Sequence, residues 1–173
     1  MLIDRIRRYE DLCSQVSEAQ KYSEVVRLLD EFRLELRSMP PSVSEIASLL
    51  QQVRIDPKMS GASLTFVSAW SNISDEYTDV LCEILTDQNC SQWHEQTVEL
   101  LAELPNPELV PILTKALGYR WNFDEWNCIP RKALAALFEI NTPEAIAAIR
   151  YALNSDEQSI RDEAMELLEK VDL

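Results

Sequence analysis

Asn106-Pro107-Glu108-Leu109-Val110-Pro111-Ile112-Leu113-Thr114-Lys115-Ala116-Leu117 and Thr142-Pro143-Glu144-Ala145-Ile146-Ala147-Ala148-Ile149-Arg150-Tyr151-Ala152-Leu153 are two versions of one segment, aligned without a gap 36 residues apart. Each opens with a helix-capping residue, then a proline where the first helical N–H is dispensable, then an acid at the positive end of the helix dipole. Apolar residues then return at three- and four-residue steps, as one face of a helix requires. Asp79–Leu85 aligns with them less well, placing Val80, Leu81 and Leu85 over Ile112, Leu113 and Leu117. The following segments repeat too. Ile129, Ala133, Leu134, Leu137 and Ile140 superpose on Ile160, Ala164, Met165, Leu168 and Val171 at a period of 31 residues. A shift of 36 residues back gives Trp93, Thr97, Val98, Leu101 and Leu104. A unit of this length made of two helices buries each pair's apolar stripe on the next pair.

Working outward, the spacing predicts helices near 62–72, 75–87, 91–104, 107–117, 130–140, 143–153 and 157–171. Their links are short, apart from 118–129, and short links make neighbouring helices antiparallel. Upstream, Leu2, Ile6, Tyr9, Leu12, Cys13 and Val16 form one helical face, and Val25, Leu28, Leu29, Phe32 and Leu36 form another that stops before Pro40-Pro41. Ser42 with Glu45 reads as a capping box for Ile46, Leu49, Leu50 and Val53. Arg54–Gly61, with Pro57 and Gly61, breaks the pattern. The expected fold is therefore all-α: a right-handed α-solenoid of antiparallel helix pairs, about ten helices in all, with an irregular N-terminal helical cap over 1–59 and repeats over 60–173 in one continuous domain.

The segments 106–117 and 129–171 resemble HEAT repeats, in particular the short kind of bilin-lyase-type proteins. Thr142-Pro143-Glu144-Ala145-Ile146 begins the family pattern, and Asp156, Ile160, Arg161, Ala164 and Leu168 continue it. The resemblance implies an Asp156/Arg161 ladder between repeats, broken in the middle unit where Pro130 holds the Arg161 position. It does not extend to 1–59. A HEAT architecture implies a habit of binding rather than an activity. It also implies an alternative role, a bilin-lyase-like or chaperone-like protein acting in tetrapyrrole attachment or phycobiliprotein assembly.

Charge narrows the partners. The net charge of −14 is uneven: residues 1–59 carry nine Lys/Arg against ten Asp/Glu, and residues 60–173 carry seven against twenty. Such a field repels nucleic acid and anionic membrane and speeds encounter with a basic partner; the bland reading is that it keeps the protein soluble. No run approaches the roughly 18 apolar residues of a membrane span, and Met1-Leu2-Ile3-Asp4-Arg5-Ile6-Arg7-Arg8 lacks the apolar core of a secretory signal. With Cys13, Cys82, Cys90 and Cys128 lacking metal-ligand spacing, the cysteines read as buried small hydrophobes in a reducing, cytoplasmic setting, with a Cys82–Cys90 disulfide left open.

The catalytic inventory is thin. His94 is the one histidine, and at the start of an amphipathic helix it reads as a surface or capping residue. No nucleophile, phosphate-loop or metal motif occurs, so the sequence predicts no catalytic set, no metal and no cofactor. Two features suit recognition of a basic protein, as an immunity protein or inhibitor of a cationic toxin would need. The first is the outward face of the second helix of each pair, with Glu95, Glu99, Asp162, Glu166 and Glu169, which in HEAT-like arrays lines the concave surface; the alternative is ordinary solvated helix positions. The second is the long link, with Tyr119, Trp121, Phe123 and Trp126 within eight residues and Asp124-Glu125 among them. Aromatics dominate interface hot spots. Either the link docks a cationic surface, or Trp121 and Trp126 fold back between helix pairs.

Overall fold

The computed structural model describes residues 1–18 and 20–171. Among them are ten α-helices and no strand: α1 (Leu2–Ser14), α2 (Lys21–Ser38), α3 (Val43–Ile55), α4 (Ala62–Ser71), α5 (Thr78–Thr86), α6 (His94–Ala102), α7 (Val110–Ala116), α8 (Cys128–Ile140), α9 (Pro143–Ala152) and α10 (Gln158–Val171). 3₁₀ segments at Asp75–Tyr77, Gln88–Trp93 and Pro107–Leu109 lead into α5, α6 and α7. The chain forms two compact units, Met1–Val80 and Leu81–Leu173. The change of charge at 59/60 falls inside the first.

In the first unit, α1 buries Leu2, Ile6 and Tyr9, while α2 buries Leu28, Phe32 and Leu36. The rings of Tyr9 and Phe32 meet at 4.7 Å. A half-buried carboxylate braces the two helices, because Glu35 accepts from Arg5 Nε at 2.8 Å and Tyr9 Oη at 3.1 Å and also pairs with Arg8. Burial pushes the Glu35 pKa up, but the bonds from Arg5, Tyr9 and Arg8 outweigh it and the net shift is down. The predicted capping box at Ser42 and Glu45 forms, and Glu45 also accepts from the Leu2 N–H. The predicted break is shorter than 54–61, since α3 runs through Ile55. Leu12, placed on the buried face by its spacing, is 40 % exposed although it lies within α1.

In the second unit α8 is central and packs against α6, α7, α9 and α10, while α7 also meets α9. Its side chains are buried on more than one side, at Ile129, Pro130, Ala133, Leu134, Ala136 and Leu137. Pro130 is tolerated because it lies in the first helical turn. The two related segments keep their caps: the Asn106 side chain accepts from the Glu108 N–H and Thr142 Oγ1 from the Ala145 N–H. They also bury matching positions, Leu109 with Ala145, Leu113 with Ile149 and Ala116 with Ala152. The companion helices match on one side only. Ile129, Ala133 and Ala136 are buried like Ile160, Ala164 and Leu167, but Met165 is 54 % exposed where Leu134 is fully covered. The difference follows from neighbours, since α10 packs on α8 and α9 while α8 has four helices around it. Buried hydroxyls are satisfied locally, as Thr97 donates to the Trp93 carbonyl one turn back.

Candidate docking surface

The link between α7 and α8 is two closed turns rather than a free loop. Gly118 and Tyr119 donate N–H bonds to the carbonyls of Lys115 and Ala116, Asp124 to that of Trp121, and Asn127 to that of Asp124. Tyr119 Oη donates to the Leu85 carbonyl at 2.9 Å. Arg120, the link's cation, is turned onto oxygens, donating to the carbonyls of Leu117 and Tyr119 and to Ser155 Oγ.

The start of the link folds over His94, whose placement corrects the sequence reading. His94 is not a surface residue: it is 1 % exposed, with Nε2 3.0 Å from the Asp87 carbonyl just past the end of α5 and its ring 5.1 Å from Tyr119 and 5.6 Å from Trp121. Burial pulls its pKa down, against the opposing pull of the Asp87 and Ile84 carbonyls and the Asp87 charge. A lone polar residue followed by aromatics 25 or more positions later gives no local signal of this packing. Trp121 is half-buried here and lies parallel to Phe123 at 6.3 Å. The rest of the link faces outward, with Phe123 59 % and Trp126 75 % exposed. The two alternatives for the link are thus divided between its tryptophans: Trp121 packs inward and Trp126 stands clear.

Asp124 has a structural task beside its charge. Its two carboxylate oxygens accept from the backbone N–H groups of Cys128, at 2.6 Å, and Ile129, at 3.1 Å, capping the first turn of α8. Asn127 adopts a left-handed conformation, φ 52°, and its Nδ2 donates to Ser159 Oγ at 3.2 Å and Glu157 Oε2 at 3.4 Å. Glu125 is exposed between them.

The acidic helical face is partly neutralised from within. Lys132 of α8 reaches α6 and pairs with both Glu95 and Glu99. Burial lowers the Lys132 pKa, but the bonds from the two carboxylates outweigh it and the net shift is up. Arg131 pairs with Glu163 of α10 at 2.8 Å, and Lys170 with Glu166 at 2.8 Å, while Asp162 accepts from Gln158. Glu169 is exposed. Glu95 and Glu99 are thus brought together around a lysine, whereas Asp162, Glu166 and Glu169 stay on α10. Aligned columns alone miss Lys132: it and Arg131 pair across to neighbouring helices, whereas Lys170 pairs with Glu166 one turn away on α10 itself.

No family model, curated protein or solved structure matches the chain. Chemistry at the surface is therefore judged on its own groups. Among the described residues no cluster of His, Cys, Asp and Glu could hold a metal ion, and no helix is long and apolar enough to cross a membrane. Cys128, at the start of α8, has its thiol pKa raised, first by burial and then by Glu95 and Asp124, which opposes a reactive thiolate. At the position of the expected Asp156/Arg161 ladder, Arg161 donates to the Ser155 carbonyl, ahead of α10, and to Gln158 at the start of α10.

Proposed function

We propose that the chain is a non-catalytic binding module, a right-handed row of antiparallel HEAT-like helix pairs that docks a basic protein partner, in the manner of an immunity protein or inhibitor that neutralises a cationic toxin. The matching burial of 106–117 with 142–153, and the succession of α6, α8 and α10 alongside one another, support the repeat reading. The observation that carries the role is the exposure of Phe123 and Trp126 on a tied-down link within residues 81–173, which hold seven Lys/Arg against seventeen Asp/Glu. Large aromatics held in water amid an excess of one sign of charge fit a partner of the opposite sign. The helical face contributes through Asp162, Glu166 and Glu169, with Glu95 and Glu99 already paired to Lys132. Affinity capture at about 50 and about 300 mM salt, followed by calorimetric titration of the purified pair, tests this reading. A basic partner whose affinity falls with salt is expected. A neutral or acidic partner bound equally well at both salt concentrations would overturn it.

A further inference from the structure

Within that reading, on which this inference rests, we infer that the centre of contact is Trp126 and that it receives an arginine side chain of the partner. Three observations converge on this residue. Trp126 is 75 % exposed, yet the backbone on both sides of it is fixed: Asp124 caps α8 through both oxygens, and Asn127 is bonded to Ser159 and Glu157. An indole presented by a rigid segment binds without first paying to order its loop. The residues next to it bring negative charge: exposed Glu125 precedes it in the chain, and exposed Glu157 is held against the amide of Asn127, which follows it. Arg120, the link's cation, is directed at the oxygens of Leu117, Tyr119 and Ser155, while Arg131 pairs with Glu163 and Arg161 with the Ser155 carbonyl and Gln158.

A guanidinium suits this arrangement better than an ammonium. It is planar, weakly hydrated and stacks on an indole face, while its edge N–H groups reach carboxylates at the rim. The Glu95–Lys132–Glu99 cluster is by contrast an internal brace between α6 and α8, and it lies outside this contact.

The test uses the full chain, labelled with nitrogen-15, and an acetylated, amidated Gly-Ser-Arg repeat peptide as probe, with its citrulline counterpart as control. The Trp126 indole N–H resonance is assigned from a Trp126→Phe variant. The arginine peptide is expected to shift that resonance and the amides of Phe123–Asn127 and Glu157, and the citrulline peptide to leave them in place. Trp126→Ala should weaken binding about three- to tenfold, as should Glu125→Gln combined with Glu157→Gln, whereas Glu95→Gln with Glu99→Gln should leave it unchanged. Because Trp126 is exposed, its replacement leaves the fold intact, which the unperturbed spectrum of the variant verifies. Shifts confined to α6 and α10, with no effect of Trp126→Ala, would overturn the Trp126 assignment and leave docking on the acidic helical face standing. Equal binding of the citrulline peptide would overturn the guanidinium contact. No shift with either peptide at about 50 mM salt would overturn this inference, and the salt-dependent capture would then decide the basic-partner reading by itself.

Discussion

Gly61 stands at the start of α4 with φ +80°, and a β-carbon built there would lie 2.5 Å from Ile6 Cγ2. Both the left-handed conformation and the contact with α1 require glycine, so Gly61→Ala is expected to destabilise the chain by about 2 kcal/mol, read as a lower urea midpoint at unchanged slope. His94 makes a prediction of different kind. Its pKa lies below the ordinary 6.5 because burial disfavours the imidazolium. Below that ordinary value the unfolded chain takes up a proton that the folded chain resists, so stability is full above about pH 6.5 and declines as pH falls towards the folded pKa. His94→Gln should flatten this part of the stability profile while leaving the carboxylate-driven loss at lower pH. A wild-type profile that stays level between about pH 6.5 and 5 would refute the linkage.

At the scale of elements, the helices are readable because they carry apolar stripes at the 3.6-residue period and some of them begin on a recognisable cap. Ser42 with Glu45, Asn106-Pro107 and Thr142-Pro143 place three helix starts from sequence, and the structure builds a cap at each. The candidate surface was less readable. Lys132 neutralises Glu95 and Glu99 across two helices, a contact set by helix packing and not by position within either stripe. Trp121 and Trp126 have similar neighbours in the chain yet opposite fates, because Trp121 meets His94, whose burial has no local signature. Asp124 illustrates the same limit: its value as a charge was legible, its role at the end of α8 was not. That role predicts that Asp124→Ala costs about 1–2 kcal/mol in urea unfolding by leaving the Cys128 and Ile129 N–H groups without their acceptor, and that Asp124→Asn recovers part of it. An alanine variant as stable as wild type would show that solvent satisfies these donors equally well.

For the molecule as a whole, two electrostatic effects compete as salt is raised. The ion pairs along α2 and α10, Arg27 with Glu24 and Glu31, Arg33 with Asp30 and Lys170 with Glu166, are exposed and within one helical turn. Each is a weak, solvent-exposed attraction, and screening removes its benefit. Against them stands the mutual repulsion of a net charge of −14, thirty acids against sixteen bases, which folding concentrates into a small volume and which salt also screens. Because local pairs are few and weak while the excess charge is molecule-wide, repulsion wins. Raising sodium chloride from about 0.02 to about 0.3 M is expected to stabilise the fold by about 1 kcal/mol, a rise in Tm of about 2–4 °C by far-UV circular dichroism. The same excess charge that would draw in a basic partner in the proposed role strains the free protein, so such a partner should stabilise the fold most at low salt. A Tm that falls with added salt would mean that the pairs, including Lys132 between Glu95 and Glu99, contribute more to folding than the surplus of acids subtracts.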